Sequence, residues 1–420
     1  MVHDWQSVCP ELTRIKILVV SNFFPPHFVG GYELGCADVV DGLGRRDNKI
    51  AVLTGMYGVN RAVVEGLVHR LMDIRWTWPT GIKGVLAVLQ RERRNQQAFR
   101  KLVNEFSPDV VYFWHVGFGC TSLVHDACRM GLPSVCFVSD SWFSEVESLD
   151  GLSRLLNDQS PSLGRRAVRC LMTSALRALN CTLPQGTPDL SLVQFCSRYL
   201  RDHSSQAIDA VNTKTVVRHW GVKASHFSPG NIAWPPKKLL YAGRISPEKG
   251  LHTALDAFIE MQQQGHGELT FTIVGEAIDP SYMNRLRSKI EASGCPEHFL
   301  LMGKVPRAEM VSVYASHDIL IFPSEWPEPF SIALLEAMAS GMAIVGTTTG
   351  GTGEILVDSQ TGVTFEAGNA AACRSAIVRL LADEQLYRQV RTQARKAVSM
   401  EYDLESMIDS INQDLFEICH

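Results

Sequence analysis

Short, mostly apolar runs recur along the chain, each followed by a stretch of helical period. Residues 15–20, IKILVV, suit a strand buried on both faces of a parallel sheet. Pro25 and Pro26 forbid its continuation. A helical pattern follows over 33–43, and residues 50–54 read as the next strand. Runs at 109–114, 133–138 and 190–195 repeat the theme, with helical stretches near 96–105 and 123–130. Strands alternating with helices predict an open α/β sheet with right-handed crossovers.

The pattern breaks at 231–238, NIAWPPKK, where adjacent prolines and polar flanks read as a linker. Alternation then restarts. Strands are expected at 239–242, 269–274, 299–302, 319–322 and 343–346. Helices are expected at 251–264, 282–292, 308–315 and 332–340. From Ala370 the tail reads as helical throughout. Leu404, Met407, Ile408, Ile411 and Leu415 give its last helix an apolar stripe. The expected architecture is two doubly wound domains in tandem with one deep cleft between them. Ligands in such sheets bind outside the carboxyl ends of the strands.

Bulk properties narrow the class. A length of 420 residues allows two to four domains at roughly 100–200 residues each. Apolar residues make up 45% and charged residues 20%, which fits a globular chain. A net charge of −4 argues against a general nucleic-acid binder. The 11 cysteines form no Cys-x-x-Cys pair and no His-Glu-x-x-His occurs, so zinc spacing is absent. Scattered cysteines read as reduced thiols. The start of the chain carries Asp4 and Glu11 and no signal-peptide run. No stretch approaches the ~20 apolar residues of a spanning helix. A cytoplasmic protein is expected, with attachment to the inner face of a membrane left open.

Candidate chemistry gathers where strands end. Gly30-Gly31 lies between the first strand and first helix, where free amides favour an anion. A tight turn without a ligand is the other reading. Arg244 follows a strand, and Lys249 stands at the expected start of a helix. Together they suit a diphosphate, against the alternative of a solvated surface pair. Residues 323–341, PSEWPEPFSIALLEAMASG, place Glu328, Pro329 and Phe330 just before a helix expected from Ser331. Glu336 lies inside that helix. The helix start favours phosphates or sugar hydroxyls. Glu328 would accept from a sugar and Glu336 from ribose hydroxyls. Glu336 is flanked by Leu334, Leu335, Ala337, Met338 and Ala339, so its carboxylate needs a partner. Residues 350–354, GGTGE, read as a further glycine-rich turn leading into a helix.

In this order the motifs resemble the retaining glycosyltransferases of family 4 (group 1), which have the GT-B fold. The resemblance runs through FVGGYE, YAGRISPEKG, FTIVGE, FLLMGKVPRAEM, PSEWPEPFSIALLEAMASG and TGGTGEILVDSQTGVTFEAG. Glu328 and Glu336 match the Glu-x7-Glu signature. The resemblance implies two Rossmann-like, doubly wound parallel-sheet domains facing across a cleft. An acceptor-side domain would span 1–230, joined by a helix at 402–420 that crosses back to it. A donor-binding domain would span 235–400. Arg244 and Lys249 would neutralise the leaving diphosphate, Glu336 would hold the ribose, and Glu328 would contact the donor sugar. Gly30, Gly31, Pro329, Phe330 and Ser331 would line the donor site. Transfer of a hexose from a UDP- or GDP-sugar would retain the anomeric configuration and need neither metal nor cofactor. The acceptor would be a sugar or a lipid-linked sugar in polysaccharide or glycoconjugate synthesis.

The first half departs from the pattern. FVSDSWF carries Ser139 where many members have histidine, while Asp140 and Trp142 remain. A His-x-His strand end is replaced by Tyr112-Phe113-Trp114-His115. Asp140 and His115 are the acceptor-side candidates. Two basic stretches, 163–179 and 82–94, read as amphipathic helices, and such helices either pack half-buried or lie on an anionic membrane. In 163–179, Val168, Leu171, Met172, Ala175 and Leu179 form the apolar side against Arg165, Arg166, Arg169 and Arg177. A nicotinamide dehydrogenase would need Gly-x-Gly-x-x-Gly, and a P-loop enzyme Gly-x4-Gly-Lys-Ser/Thr. Neither occurs. A GT-B nucleotide-sugar epimerase and a non-catalytic nucleotide-sugar-binding protein remain as alternatives.

Overall fold

The computed structural model describes residues 14–75, 81–117, 120–145, 150–157, 162–230 and 234–420. The N-terminal stretch with Asp4 and Glu11, and the linker residues 231–233, lie outside these. Two compact units emerge. One comprises Met1–Cys196, Leu200–Arg218 and Ile408–His420, and the other Ser197–Tyr199 and His219–Met407.

The first unit is built on an eight-stranded sheet of order β3-β4-β2-β1-β5-β6-β7-β8. Its strands are β1 (Lys16–Ser21), β2 (Lys49–Gly55), β3 (Val63–Glu65), β4 (Val68–Met72), β5 (Val110–His115), β6 (Ser134–Val138), β7 (Leu192–Phe195) and β8 (Thr215–Val217). Only the β3–β4 pair runs antiparallel among the described strands. Ile17, Leu18, Val19 and Val20 are wholly buried, as a central parallel strand requires. Strand order reverses between β1 and β5, and their registered ends bring Ser21 beside His115. Helices α1 (Gly31–Arg45), α2 (Gly81–Phe106), α3 (Ser122–Arg129), α4 (Gly151–Asn157) and α5 (Leu163–Ala178) connect the strands. Short helices α6 (Arg198–His203) and α7 (Ser205–Val211) follow β7.

Two expectations change here. The stretches 82–94 and 96–105 are one continuous helix, α2. On α5 the buried stripe is Met172 and Leu176, packed with Val88 and Leu89 of α2 and Leu152 and Leu156 of α4. Val168 and Leu171 point outward instead, the latter 71% exposed. Four arginines and few apolar positions left the buried face of this helix ambiguous in the sequence.

The second unit carries a six-stranded sheet of order β11-β10-β9-β12-β13-β14. Its strands are β9 (Lys238–Ala242), β10 (Thr270–Val274), β11 (Phe299–Gly303), β12 (Ile319–Phe322), β13 (Ala343–Gly346) and β14 (Val363–Thr364). All the described pairs are parallel. Helices α8 (Leu251–Gln263), α9 (Pro280–Glu291), α10 (Arg307–Ala315) and α11 (Ile332–Ala339) link them. Helices α12 (Ala370–Ala382), α13 (Glu384–Glu401) and α14 (Leu404–Cys419) complete the chain. The order reverses between β9 and β12, so the switch point where ligands settle lies at their carboxyl ends.

Ile408 onward, α14 belongs to the first unit. Ile408, Ile411 and Leu415 are wholly buried, and a Cβ on Gly42 of α1 would strike Ile408. Asp414 accepts from Arg218 Nη2 at 2.6 Å and from Gln194 Nε2 at 2.7 Å. No helix among the described residues is long and apolar enough to cross a membrane.

Candidate functional site

In the second unit the chain leaves β9 through Gly243 and Arg244 and forms a single 3-10 turn at Pro247–Lys249. Lys249 was expected to open a helix. It ends this turn, and α8 begins only at Leu251. Gly250 between them sits at φ +67°, and a Cβ there would collide with the Pro323 carbonyl at the end of β12. Glycine is required by both backbone and space. That close approach sets Lys249 beside the loop that follows β12.

The loop carries Glu328, which is buried. Its Oε1 accepts from Lys249 Nζ at 2.6 Å and from Ser324 Oγ at 2.7 Å. Lys249 and Glu328 side chains are 17% and 9% exposed, so this is a largely desolvated ion pair. Such a pair is maintained only with good geometry and further hydrogen bonds, which Ser324 supplies. The Ser324 carbonyl accepts from Thr347 Oγ1 at 2.6 Å and Thr349 Oγ1 at 3.2 Å. The glycine-rich segment, expected to lead into a helix, runs as a 3-10 turn, Gly350–Glu354. Its Gly351 amide donates to the Glu328 carbonyl at 2.6 Å. A Cβ on Gly350, at φ +59°, would strike the Pro327–Glu328 backbone.

Helix α11 starts immediately after this loop, capped by Ser331 Oγ, which accepts from the Leu334 amide at 3.3 Å. Pro329 is partly exposed. Phe330 is buried, stacked on His219 at 5.1 Å and tilted against Tyr402 at 5.6 Å. Glu336, about one turn into the helix, is 8% exposed. Its partners are Tyr314 Oη, donating at 3.3 Å, and Arg307 Nε at 3.4 Å. Burial, then the Glu336 charge, pushes the Tyr314 phenol well up, so it stays a donor. Arg244 is exposed at the same strand ends, and its carbonyl accepts from Tyr241 Oη at 2.6 Å. The second unit thus gathers Arg244, Lys249, Glu328, Ser331 and Glu336 around the ends of β9 and β12 and the start of α11. Ser324, Arg307 and Tyr314 hold the acidic members, and none was singled out in the sequence. Ser324, four residues before Glu328, was the one locally visible signal.

In the first unit Gly30 and Gly31 stand at the start of α1. The Gly30 amide donates to Glu33 Oε2 at 2.9 Å, so the helix start already holds a carboxylate. Burial raises the Glu33 pKa, with backbone hydrogen bonds opposing it. His115 ends β5 and is 8% exposed. Its Nε2 lies 3.3 Å from Asp140 Oδ2, and its Nδ1 lies 2.7 Å from Asn22 Nδ2. Asp140 Oδ1 accepts from the Trp142 amide at 3.0 Å. His115 and Asp140 are therefore neighbours, joined by Asn22, which sequence reasoning passed over as part of a strand end. Ser139 is buried beside Asp140.

Residues 223–397 match the model of the family described as Glycosyl transferases group 1. The chain is 26% identical over 220 residues to glycogen synthase of Mycobacterium tuberculosis, covering 52% of each protein. It thus spans about half the length of that relative. It is 22% identical over 413 residues to an uncharacterized glycosyltransferase of Methanocaldococcus jannaschii, covering 94% of this chain and 96% of the other. The solved sucrose-phosphate synthase of Thermosynechococcus elongatus superposes with a TM-score of 0.70 at 17% identity, covering 95% and 98%. The fold is GT-B. Fold and likenesses together relate the chain to glycosyltransferases of the GT-B fold.

Proposed function

We propose that the protein is a retaining, metal-independent glycosyltransferase of family 4. It would move a hexose-type sugar from a UDP- or GDP-sugar to a sugar or lipid-linked acceptor in polysaccharide or glycoconjugate synthesis. The observation that carries this reading is the Lys249–Glu328 pair at the switch point of the second unit, beside the start of α11.

Glycosyl transfer passes through an oxocarbenium-like state while negative charge grows on the departing diphosphate. In this reading Lys249 and Arg244 meet that charge, assisted by the amides at the start of α11. Glu328, released in part from Lys249, accepts from donor-sugar hydroxyls. Glu336, held by Arg307 and Tyr314, accepts from the ribose hydroxyls. Pro329, Phe330 and Ser331 shape the turn that aims those amides. In the first unit Gly30 and Gly31 are the candidates for a donor phosphate, and Asp140 and His115 serve the acceptor side.

The lipid-linked form of the acceptor is supported by the outer face of α5. Leu163 and Leu171 are 81% and 71% exposed there. The helix also carries Arg165, Arg166, Arg169 and Arg177 and no carboxylate. Apolar residues among arginines suit an anionic bilayer surface, which would place the enzyme at the cytoplasmic face. Co-sedimentation with phosphatidylglycerol vesicles at low salt tests it, and the absence of binding refutes it. The decisive experiment for the enzyme is a thermal-shift screen of UDP-, GDP- and ADP-sugars, followed by product analysis. A true donor raises the melting temperature as its concentration passes its dissociation constant. Stabilisation without hydrolysis or transfer would leave a binding protein, and inversion at the anomeric carbon would refute retention.

A further inference from the structure

Asn22 follows β1 at the switch point of the first sheet and is 1% exposed. Its Nδ2 reaches two atoms, the Gly117 carbonyl at 2.9 Å and His115 Nδ1 at 2.7 Å. A carbonyl only accepts, so the amide is oriented with its NH2 toward both. His115 Nδ1 therefore faces a donor and must present its lone pair. The proton of the neutral ring then sits on Nε2, the nitrogen that faces Asp140 Oδ2 at 3.3 Å.

We propose that Asn22 is a positioning residue: it holds His115 as the Nε2–H tautomer, turned toward Asp140, within a subsite that receives a hydroxyl-bearing group. The surroundings name that group. Four buried polar atoms there have no hydrogen-bond partner among the described residues: Asn22 Oδ1, Tyr32 Oη, Ser139 Oγ and Trp142 Nε1. The Tyr32 and Trp142 rings lie 5.6 Å and 5.9 Å from the imidazole, and Ser139 adjoins Asp140. Buried polar atoms left without partners are costly and rare, so several of them on residues that touch or adjoin the His115–Asp140 pair call for an occupant.

The set is chemically mixed. Asn22 Oδ1 only accepts, Trp142 Nε1 only donates, and the two hydroxyls do either. An anion would meet Asp140, Glu33 and the Asn22 carbonyl oxygen. A cation would meet the indole N–H. A hydroxyl both donates and accepts, so hydroxyls suit both kinds, donating to an acceptor such as Asn22 Oδ1 and accepting from a donor such as Trp142 Nε1. With the tautomer fixed, the His115 Nε2–H and the Asp140 carboxylate face each other at 3.3 Å and stand as one oriented pair beside those atoms. This deepens the transferase reading, on which it rests for identifying the group as a sugar hydroxyl. The tautomer itself stands on geometry alone.

The test uses the full chain labelled with 15N-histidine, with His115→Gln identifying the resonances. Nitrogen–proton correlation across the ring is expected to show Nδ1 bare and Nε2 protonated in the wild type. The opposite pattern overturns the proposal. Asn22→Asp puts an acceptor against Nδ1 and is expected to move a proton onto it. An unchanged pattern in a folded Asn22→Asp protein overturns the positioning role. If that variant does not fold, Asn22→Ala takes its place, and a mixture of tautomers is expected where an unchanged single form refutes. Methyl glycosides of glucose, mannose and N-acetylglucosamine then serve as probes, with sulfate as the anion. A shift of the His115 pair by at least one glycoside supports the hydroxyl subsite. A response to sulfate only, or to none of the three glycosides, overturns it. Where turnover is measured, Asn22→Asp is expected to lower it about ten-fold or more with the donor KM little changed, as loss of an orienting bond to histidine does. Unchanged turnover with a moved tautomer removes Asn22 from catalysis. Failure of every donor to react would sink the transferase reading and leave the nitrogen pattern intact.

Discussion

Lys249→Ala separates two contributions that meet in one ion pair. In the wild type, the Glu328 carboxylate has two partners among the described residues, Lys249 at 2.6 Å and Ser324 at 2.7 Å, and its side chain is 9% exposed. Removing the ammonium leaves a buried carboxylate with one neutral donor. Breaking a buried pair from one side costs about 3–5 kcal/mol. The side chains are 17% and 9% exposed, so some water relieves that cost and the lower end is expected. Glu328→Gln is milder, because the amide oxygen still accepts from Ser324. The double variant Lys249→Ala/Glu328→Gln therefore regains part of the loss, with a coupling of about 1–3 kcal/mol by double-mutant cycle. Calorimetry is the appropriate stability assay, because two compact units need not melt as one transition. Turnover is expected to fall much further than stability warrants, by about 100- to 1,000-fold at saturating donor, as when one preorganised charge-stabilising group is removed. Additivity of the two substitutions within about 0.5 kcal/mol would show that the pair is not coupled. Turnover equal to wild type would remove Lys249 from the mechanism.

Three other consequences are open to measurement. Glu336→Gln should raise the donor KM about ten-fold, the worth of a hydrogen bond to a charged acceptor, with turnover changed little. A melting-point drop with unchanged KM would instead make Glu336 a structural partner of Arg307 and Tyr314. Turnover should survive EDTA, and full loss that returns with a divalent ion would refute the metal-independent reading. Glu92 of α2 lies wholly buried, and burial followed by the Asp150 charge pushes its pKa up to about 7. Because the folded pKa lies above the unfolded one, the native state binds the proton more tightly. Stability is thus lost as pH rises from the ordinary carboxyl range to about 7, by about 3 kcal/mol from this group. Glu92→Gln keeps an acceptor for Ser122 and Gln96. It should melt higher than wild type at pH 8 and alike at pH 4.5, and equal melting at both values would refute the shift.

The strands on which the candidate sites rest were legible because they are buried on both faces. IKILVV and ILIF declare themselves as parallel strands by composition alone. The β3–β4 hairpin did not, because its pattern includes Arg70, a charge that is 1% exposed. Arg70 is satisfied there by the Phe24 and Pro25 carbonyls and by Glu65, which no periodicity reveals. Glu336 could be read as a carboxylate needing a partner from its apolar neighbours. The identity of the partner could not, since Tyr314 lies 22 residues earlier. Asn22 was still less accessible. Its role depends on a contact across 93 residues, created when β1 and β5 pair at a strand-order reversal.

This difference in range bears on why one half of the chain reads so much more plainly than the other. Around Glu328 most constraints are local: Ser324, Pro329 and Ser331 lie within four residues, and the glycine turn that closes on its carbonyl starts 22 positions on. Only Lys249, 79 residues earlier, comes from another short motif. A site assembled from short segments leaves short, contiguous motifs, and the family model duly covers 223–397. Around His115 the polar atoms come one to three at a time from the ends of β1, β5 and β6 and from α1. No segment there carries enough of the site to be recognised by itself. If the second unit binds a nucleotide-sugar, its ligand always includes a diphosphate and a ribose, and the residues meeting them are correspondingly constrained. The first unit would meet a hydroxyl in one of many settings, which several polar arrangements satisfy. Ser139 in place of histidine is then a different solution rather than a lost one, provided that His115, fixed by Asn22, supplies the N–H. The ring-nitrogen pattern of His115 decides that point directly.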